Sequence, residues 1–306
     1  MRRLLIVVPL LVAVGWPAVA SANGYLTVMF GRGQISEVRG QCSPTPGAVS
    51  LWTVANALQS RGLVATLPMT VKQIGTAPNH VCSGDSQYAN WDDLARFRDT
   101  YHWTAVPRGR SGLNLTTISD PTVLQDETCG VLQTFYQHGH KRAWGLFAWP
   151  KNRFTAALEL QYATPCYAFG RTYNGGVNLL PDAAPYYWAN SVSVNGGRCA
   201  NTALACHTMS APRQYTQPST LASIINRATT GGWVLMQWYK LVSGSYHDQW
   251  ISWDCTSTNP ANHWSNNGED YCYNDFLTVM NSISNTLTVT DPASVAQATG
   301  RSVPHP

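Results

Sequence analysis

Charge is scarce in this 306-residue chain, where only 12% of residues are Asp, Glu, Lys or Arg. Beyond Arg2 and Arg3 there is no basic run, and phosphate backbones are gripped by clustered Lys and Arg, so nucleic acid is set aside as a partner. No CxxC and no Cys/His cluster stands at metal-ligand spacing, and no two of the eight histidines are four apart. The sequence therefore shows no ready zinc site. Internal repeats and low-complexity segments are also absent, which removes solenoid and linker architectures. The one long apolar run, Leu4 to Val14, is shorter than the roughly 20 residues a membrane-spanning helix needs.

That run has another reading. Arg2 and Arg3 precede it, and Ala18-Val19-Ala20 or Ala20-Ser21-Ala22 follows with the small residues a signal peptidase accepts. Residues 1–22 are expected to be a secretory signal peptide and residues 23–306 a single secreted domain, with no membrane association once the leader is gone. The remaining 284 or so residues are ample for a core. All eight cysteines lie in that part, and an even count in an oxidising compartment reads as four disulfides that reinforce a fold. Pairing is not fixed by sequence. Sequential neighbours (Cys42 with Cys82, Cys129 with Cys166, Cys199 with Cys206, Cys255 with Cys272) would each brace one loop. Low charge together with 12 Trp, 14 Tyr and abundant Asn, Ser, Thr and Gly is the composition of many extracellular sugar-handling proteins.

Along the chain, strands and helices alternate, which argues an α/β architecture with parallel strands. Strands are expected at 25–30, 63–67, 103–106, 143–149, 167–171, 233–242 and 287–290. Helices are expected after Thr45-Pro46, over 90–98, over 120–137, near 154–161, over 218–228, and over 274–283 with Asn274 as the cap. Residues 174–217 read as one long loop pinned by Cys199 and Cys206, and a second rich loop runs on to Tyr273.

In order, these pieces resemble the polysaccharide deacetylase family, the NodB-homology carbohydrate esterases. Val28-Met29-Phe30-Gly31-Arg32-Gly33 is similar to that family's Thr-Phe-Asp-Asp-Gly strand end, and Leu58 to Leu67 to its helix end, glycine and second strand. His102 to Thr116 matches the segment with its histidine pair, Phe147-Ala148-Trp149-Pro150 its Phe-Ala-Tyr-Pro strand end, and Trp233 to Tyr239 its late strand. The likeness runs from about Tyr25 to Val289. It implies an irregular (β/α) barrel, here with long disulfide-pinned loops, and a polysaccharide or cell-wall glycan as partner.

The chemistry that the resemblance implies is metal-assisted amide hydrolysis, with an Asp as base and a His as acid. Here the base position is Gly31, the carboxylate ligand Arg32, the imidazole ligands Arg108 and Gly112, and the late acid Tyr239. Arginine has no lone pair to give a cation. No metal and no cofactor are therefore expected at those positions, and two functions compete.

One is a binding protein that keeps the barrel's groove. Its candidates at strand ends are Arg32, Arg108, Arg110, Trp149, Trp238 and Tyr239. The loops add Trp250, with Tyr186, Tyr187, Trp188, Trp253 and Trp264; aromatic faces stack on sugars and arginine forks hold hydroxyls or carboxylates. The other function is a hydrolase working through His247-Asp248, Asp254, Glu269 and Asp270 of the late loop. His138-Gly139-His140 has the look of a metal pair but enters a strand at the barrel's stability face.

Overall fold

The computed structural model describes residues 24–31, 47–75, 88–172, 178–179, 188–193, 199–201, 205–206, 217–247, 252–259, 263 and 270–301. Seven strands carry the fold: β1 (Tyr25–Phe30), β2 (Ala65–Met69), β3 (Thr104–Pro107), β4 (Phe147–Ala148), β5 (Gly170–Thr172), β6 (Trp188–Ser193) and β7 (Gly232–Trp238). They are hydrogen-bonded in the order β3-β2-β1-β7-β6-β5-β4, each neighbouring pair parallel. The ends of that path, β3 and β4, lie against each other. Going round the ring, the strands follow chain order, with the first bonded to the last and a seam between β3 and β4. This is the expected irregular (β/α) barrel.

Strands buried on both faces must be apolar throughout, and β1 and β7 are: every residue from Leu26 to Phe30 and from Gly232 to Trp238 is buried. The polar exceptions have partners. Thr27 Oγ1 donates to the Thr290 carbonyl at 2.8 Å and accepts from Trp233 Nε1 at 3.1 Å.

Helices cover the outside. Helix α1 (Leu51–Gln59) is capped by Ser50, whose Oγ accepts from Thr53 N at 3.2 Å. Helix α2 (Trp91–Tyr101) has a full capping box, in which Asn90 Oδ1 accepts from Asp93 N at 2.8 Å and Asp93 Oδ2 accepts from Asn90 N at 3.0 Å. Helices α3 (Pro121–Gln125) and α4 (Val131–Gln137) are joined by a π-helical turn at Asp126–Gly130, and the short α5 (Ala156–Leu158) runs into another at Glu159–Ala163. Then come α6 (Pro218–Asn226), α7 (Tyr273–Asn281) and α8 (Pro292–Ala298).

Between barrel and helices runs an aromatic ladder. Trp52 stacks on Phe97 at 4.2 Å, Phe97 on Trp103 at 4.8 Å, Trp103 on Phe30 at 5.6 Å, and Phe276 meets Trp238 edge-on at 5.1 Å. Such pairs contribute about 0.5–1.5 kcal/mol each beyond the area they bury.

Several expected boundaries move. The first helix starts at its Ser50 cap, and Thr45-Pro46 lies outside the described residues. The strand expected over 233–242 breaks at Tyr239. Lys240–Val242 leaves the barrel to pair with Asp270–Cys272, because the chain turns outward once β7 reaches the mouth. The segment read as one long loop contains β6, whose polar Asn and Ser residues hid it from a search for apolar runs. Asn274 lies inside α7, and the cap position is Cys272. Helix α8 was not expected, although Asp291-Pro292 announces it with a cap and a first-turn proline.

Two of the expected disulfides are formed, Cys129–Cys166 and Cys255–Cys272, with Cα separations of 5.6 and 5.5 Å. Cys199 and Cys206 are register partners in a short antiparallel pair. Cys42 and Cys82 lie outside the described residues. Among the described residues no helix is long and apolar enough to cross a membrane.

Candidate binding site at the barrel mouth

The C-terminal ends of parallel barrel strands converge on one mouth, and here the end of β1 is a glycine. Gly31 N donates to the Trp238 carbonyl at 2.8 Å, which continues the β1–β7 ladder. A Cβ built on Gly31 would stand 2.6 Å from Gln237 Nε2 and 2.9 Å from the Tyr239 ring. A side chain there requires Gln237 and the Tyr239 ring to shift.

Behind them stands a buried cation. Arg171, on β5, sends Nη1 to Gln237 Oε1 and Nη2 to Asn152 Oδ1 at 3.1 Å. Since β6 separates β5 from β7, the Arg171 and Gln237 side chains meet across the barrel interior. Asn152 and its neighbour Lys151 hold positive φ, 56° and 52°, in the turn after β4. That is a left-handed pair without glycine and a place where backbone strain is stored.

A buried acid lies close to this group. Glu159 is 1% exposed and accepts from Trp149 Nε1 at 2.6 Å. Burial pushes its carboxyl up to about 7, and the Trp149 hydrogen bond only partly opposes that. A Cβ built on Gly170 would overlap its oxygens.

The loop after β3 is shaped by a second acid. Buried Glu127 accepts from Arg110 N at 2.8 Å, from Ser111 N at 3.0 Å and from the Ser111 hydroxyl. Gly109 and Gly112 turn in the left-handed region, with φ of 78° and 72°.

The expected site residues part company here. Tyr239 is half-buried and packs at the mouth over Gly31, beside Gln237. Arg108 is half-buried at the end of β3, its N–H donating to the Met69 carbonyl at 2.8 Å. Arg110 turns to the wall, where Nε and Nη2 both reach Asp126 at 2.6 Å.

Trp149 and Trp238 are corrections, since both are fully buried and neither offers a face to a sugar. Alternation along β7 explains the second: Gln237 points into the barrel, so Trp238 points out, against Phe30 and Phe276. Trp149 is held between Phe147 and Phe154, with its N–H on Glu159. Trp253 is buried against Tyr246. Arg32, Trp250, Tyr186, Tyr187 and Trp264 lie outside the described residues, and of Trp188 only the backbone, in β6, is described.

Asp254 caps a turn through Thr256 N at 3.0 Å and Thr256 Oγ1 at 2.6 Å. Asp270 is buried against Lys240 at 3.4 Å, and exposed His247 sits in a strand opposite Ser252. Asp248 and Glu269 lie outside the described residues.

His138-Gly139-His140 is a structural corner. His138 stacks flat on Trp91 at 3.8 Å, and Arg98 Nη1 donates to the His138 carbonyl at 2.7 Å. His140 is buried, and that burial, with help from Arg98, pushes it down to about 4.

Sequence reasoning passed over Arg171 and Glu159. The signal for the first was a lone arginine ending the apolar run Tyr167-Ala168-Phe169, next to a glycine. Nothing local marks the second.

Around Gly31, Gln237, Tyr239 and Arg171, no group of three described His, Cys or acidic side chains stands close enough to share the metal that the resemblance implies. The one group of three described His, Cys or acidic side chains close enough to share an ion, His263 with Cys272 and Asp275, is in the late loop.

No family model matches the chain, and no curated protein does. Among solved structures the chain is similar to a polysaccharide deacetylase from Bacillus cereus, with 12% identity, TM-score 0.41, and 54% of this chain and 46% of that one covered. It is similar also to a family 4 carbohydrate esterase from Streptomyces lividans in complex with acetate, with 14% identity, TM-score 0.37, and 71% and 80% covered. A Mycobacterium smegmatis protein described as a candidate polysaccharide deacetylase aligns over 96% of this chain and 97% of its own, with 10% identity and TM-score 0.48. The barrel assignment rests on the strand order of this chain itself.

Proposed function

We propose that this chain is a divergent, exported barrel of the polysaccharide deacetylase type that binds an extracellular or cell-wall polysaccharide at its mouth and has given up metal-dependent deacetylation. The observation that carries this reading is the end of β1, where the residue is Gly31 and Gln237 and Tyr239 pack over it with Arg171 behind them. Gln237 and Arg171 are buried, so the groups at the mouth that can meet a sugar are the half-buried Tyr239, whose phenol and ring edge suit a pyranose, and the half-buried Arg108 guanidinium.

The test is retention on insoluble chitin, cellulose and peptidoglycan, run beside deacetylation of acetylated chito-oligosaccharides. Binding to one polymer without acetate release is the expected result. Retention on none of them removes the binding claim, and chelator-sensitive acetate release removes the claim of lost activity.

A second reading rests on Glu159, a buried acid held near neutrality, the range in which a carboxyl both gives and takes protons. In that reading the chain is a hydrolase without a metal. Acetate release that persists in chelator and vanishes in Glu159→Gln would favour it.

A further inference from the structure

Away from the mouth, three kinds of metal donor gather beside the Cys255–Cys272 disulfide, two from the segment it closes and one from the first turn of α7. A ring nitrogen of His263, Sγ of Cys272 and a carboxylate oxygen of Asp275 lie within 4.8 Å of one another. All are shielded: Cys272 is fully buried, and the side chains of His263 and Asp275 are 13% and 15% exposed. A tetrahedral zinc ion with such donors needs them about 3.5 Å apart, so the contacts have to change by only roughly 1 Å.

His263 is oriented as a ligand would be. Nε2 donates to the Ser257 carbonyl at 2.8 Å, and a proton is shared between Nδ1 and the Asp275 carboxylate at 2.7 Å, which a cation bound at Nδ1 would displace to solvent. An imidazole N–H held by a backbone carbonyl is the usual support of a metal-binding histidine, because it fixes the lone pair on the other nitrogen. What closes the site is the disulfide, since the thiolate is the metal ligand and a disulfide sulfur is a poor one.

We propose that Cys255, His263, Cys272 and Asp275 form a redox-gated site for a zinc-class divalent cation, closed while the two sulfurs are bonded to each other and opened when they are reduced. With a phosphine as reductant, the S–S bond breaks, phosphorus takes an oxygen from water to become the phosphine oxide, and the two water hydrogens end on the two sulfurs as thiols. Each thiol then releases its proton as its sulfur binds the cation. The ion ties together the two segments the disulfide had joined, the turn at 254–257 and the start of α7, so one staple replaces the other.

Cobalt(II) is the probe. Cys255→Ala leaves Cys272 a thiol, leaves Cys129–Cys166 intact and needs no reductant. It is expected to bind one cobalt per chain with sulfur-to-cobalt charge-transfer absorption and the visible bands of a tetrahedral ion, while oxidised wild type shows neither. Adding His263→Ala or Asp275→Asn is expected to weaken binding about tenfold or more. A cooperatively melting Cys255→Ala protein without charge-transfer absorption overturns the proposal, and so does cobalt binding that His263→Ala leaves undiminished. If Cys255→Ala is unfolded without metal, recovery of its folded far-ultraviolet signal on adding zinc supports the site, and failure to recover overturns it.

Discussion

The two walls of the barrel are built on different physics. The wall of β1, β2, β3 and β7 has strands of 6, 5, 4 and 7 residues, side-chain-capped helices α1 and α2, and the aromatic ladder. The wall of β4 and β5 has strands of 2 and 3 residues, with two π-helical turns beside it. It also carries the left-handed pair at Lys151 and Asn152 and three buried charges, Glu127, Glu159 and Arg171. The first wall is held by area removed from water, which is non-directional and tolerant. Hydrogen bonds among desolvated groups hold the second, and they fail if one member moves. Cys129–Cys166 ties that wall together, from the first π-helical turn to the residues just after the second.

Gly170→Ala should give the largest effect and strikes the polar wall. Its Cβ would overlap the Glu159 carboxylate, whose displacement breaks the hydrogen bond to the buried Trp149 N–H, so a loss on the order of 3 kcal/mol is expected. Denaturant unfolding measures it. A loss below about 1 kcal/mol would mean that Glu159 relaxes freely and that the contrast between the walls is overdrawn.

The walls should also answer pH in opposite directions. Glu159 has a raised folded pKa, about 7 against an ordinary 4.5, so its stabilising contribution is full below 4.5 and is lost as pH climbs through 7. The loss is on the order of 3 kcal/mol. His140, against Trp91 and Phe135 on the aromatic side, has a lowered folded pKa, about 4 against 6.5. Its contribution is full above 6.5 and is lost, by a similar order, as pH falls toward 4. Melting curves from pH 4 to 8 should therefore lose their alkaline slope in Glu159→Gln and their acid slope in His140→Gln. Unchanged slopes would show that neither group titrates as its burial dictates.

At the mouth, Arg108→Ala and Tyr239→Ala should each weaken glycan retention about tenfold, roughly 1.4 kcal/mol, with melting close to wild type. Loss of binding together with a large fall in melting temperature would instead make the residue a structural support. The smallest effect belongs to Arg110→Lys. Its fork on Asp126 is partly solvated, and the change should cost less than about 1 kcal/mol and leave glycan retention alone. Reduced retention would return Arg110 to the site.

The aromatic wall was largely legible in the sequence and the polar wall was not. Tyr25 to Phe30 is apolar enough to declare a buried strand, and Asn90 with Asp93 declares a helix start. By contrast, β6 is written Trp-Ala-Asn-Ser-Val-Ser, which no apolar period marks. The site divided in the same way. Tyr239 and Arg108 are half-buried at strand ends, whereas Trp149 and Trp238 are fully buried, because the position of a strand end does not tell which face a side chain takes.

By itself the sequence determined the alternation of strands and helices, which follows from local patterns; the barrel came from the family resemblance, and the disulfide pairing stayed open until the structure joined Cys129 to Cys166 and Cys255 to Cys272. Only the tertiary structure decided that Arg171 meets Gln237, that Glu159 lies beneath Trp149, and that His263 reaches Asp275 beside Cys272. Such meetings join residues 10 to 66 positions apart or depend on which way a strand faces, and no local rule carries that information; the packing of the folded chain does.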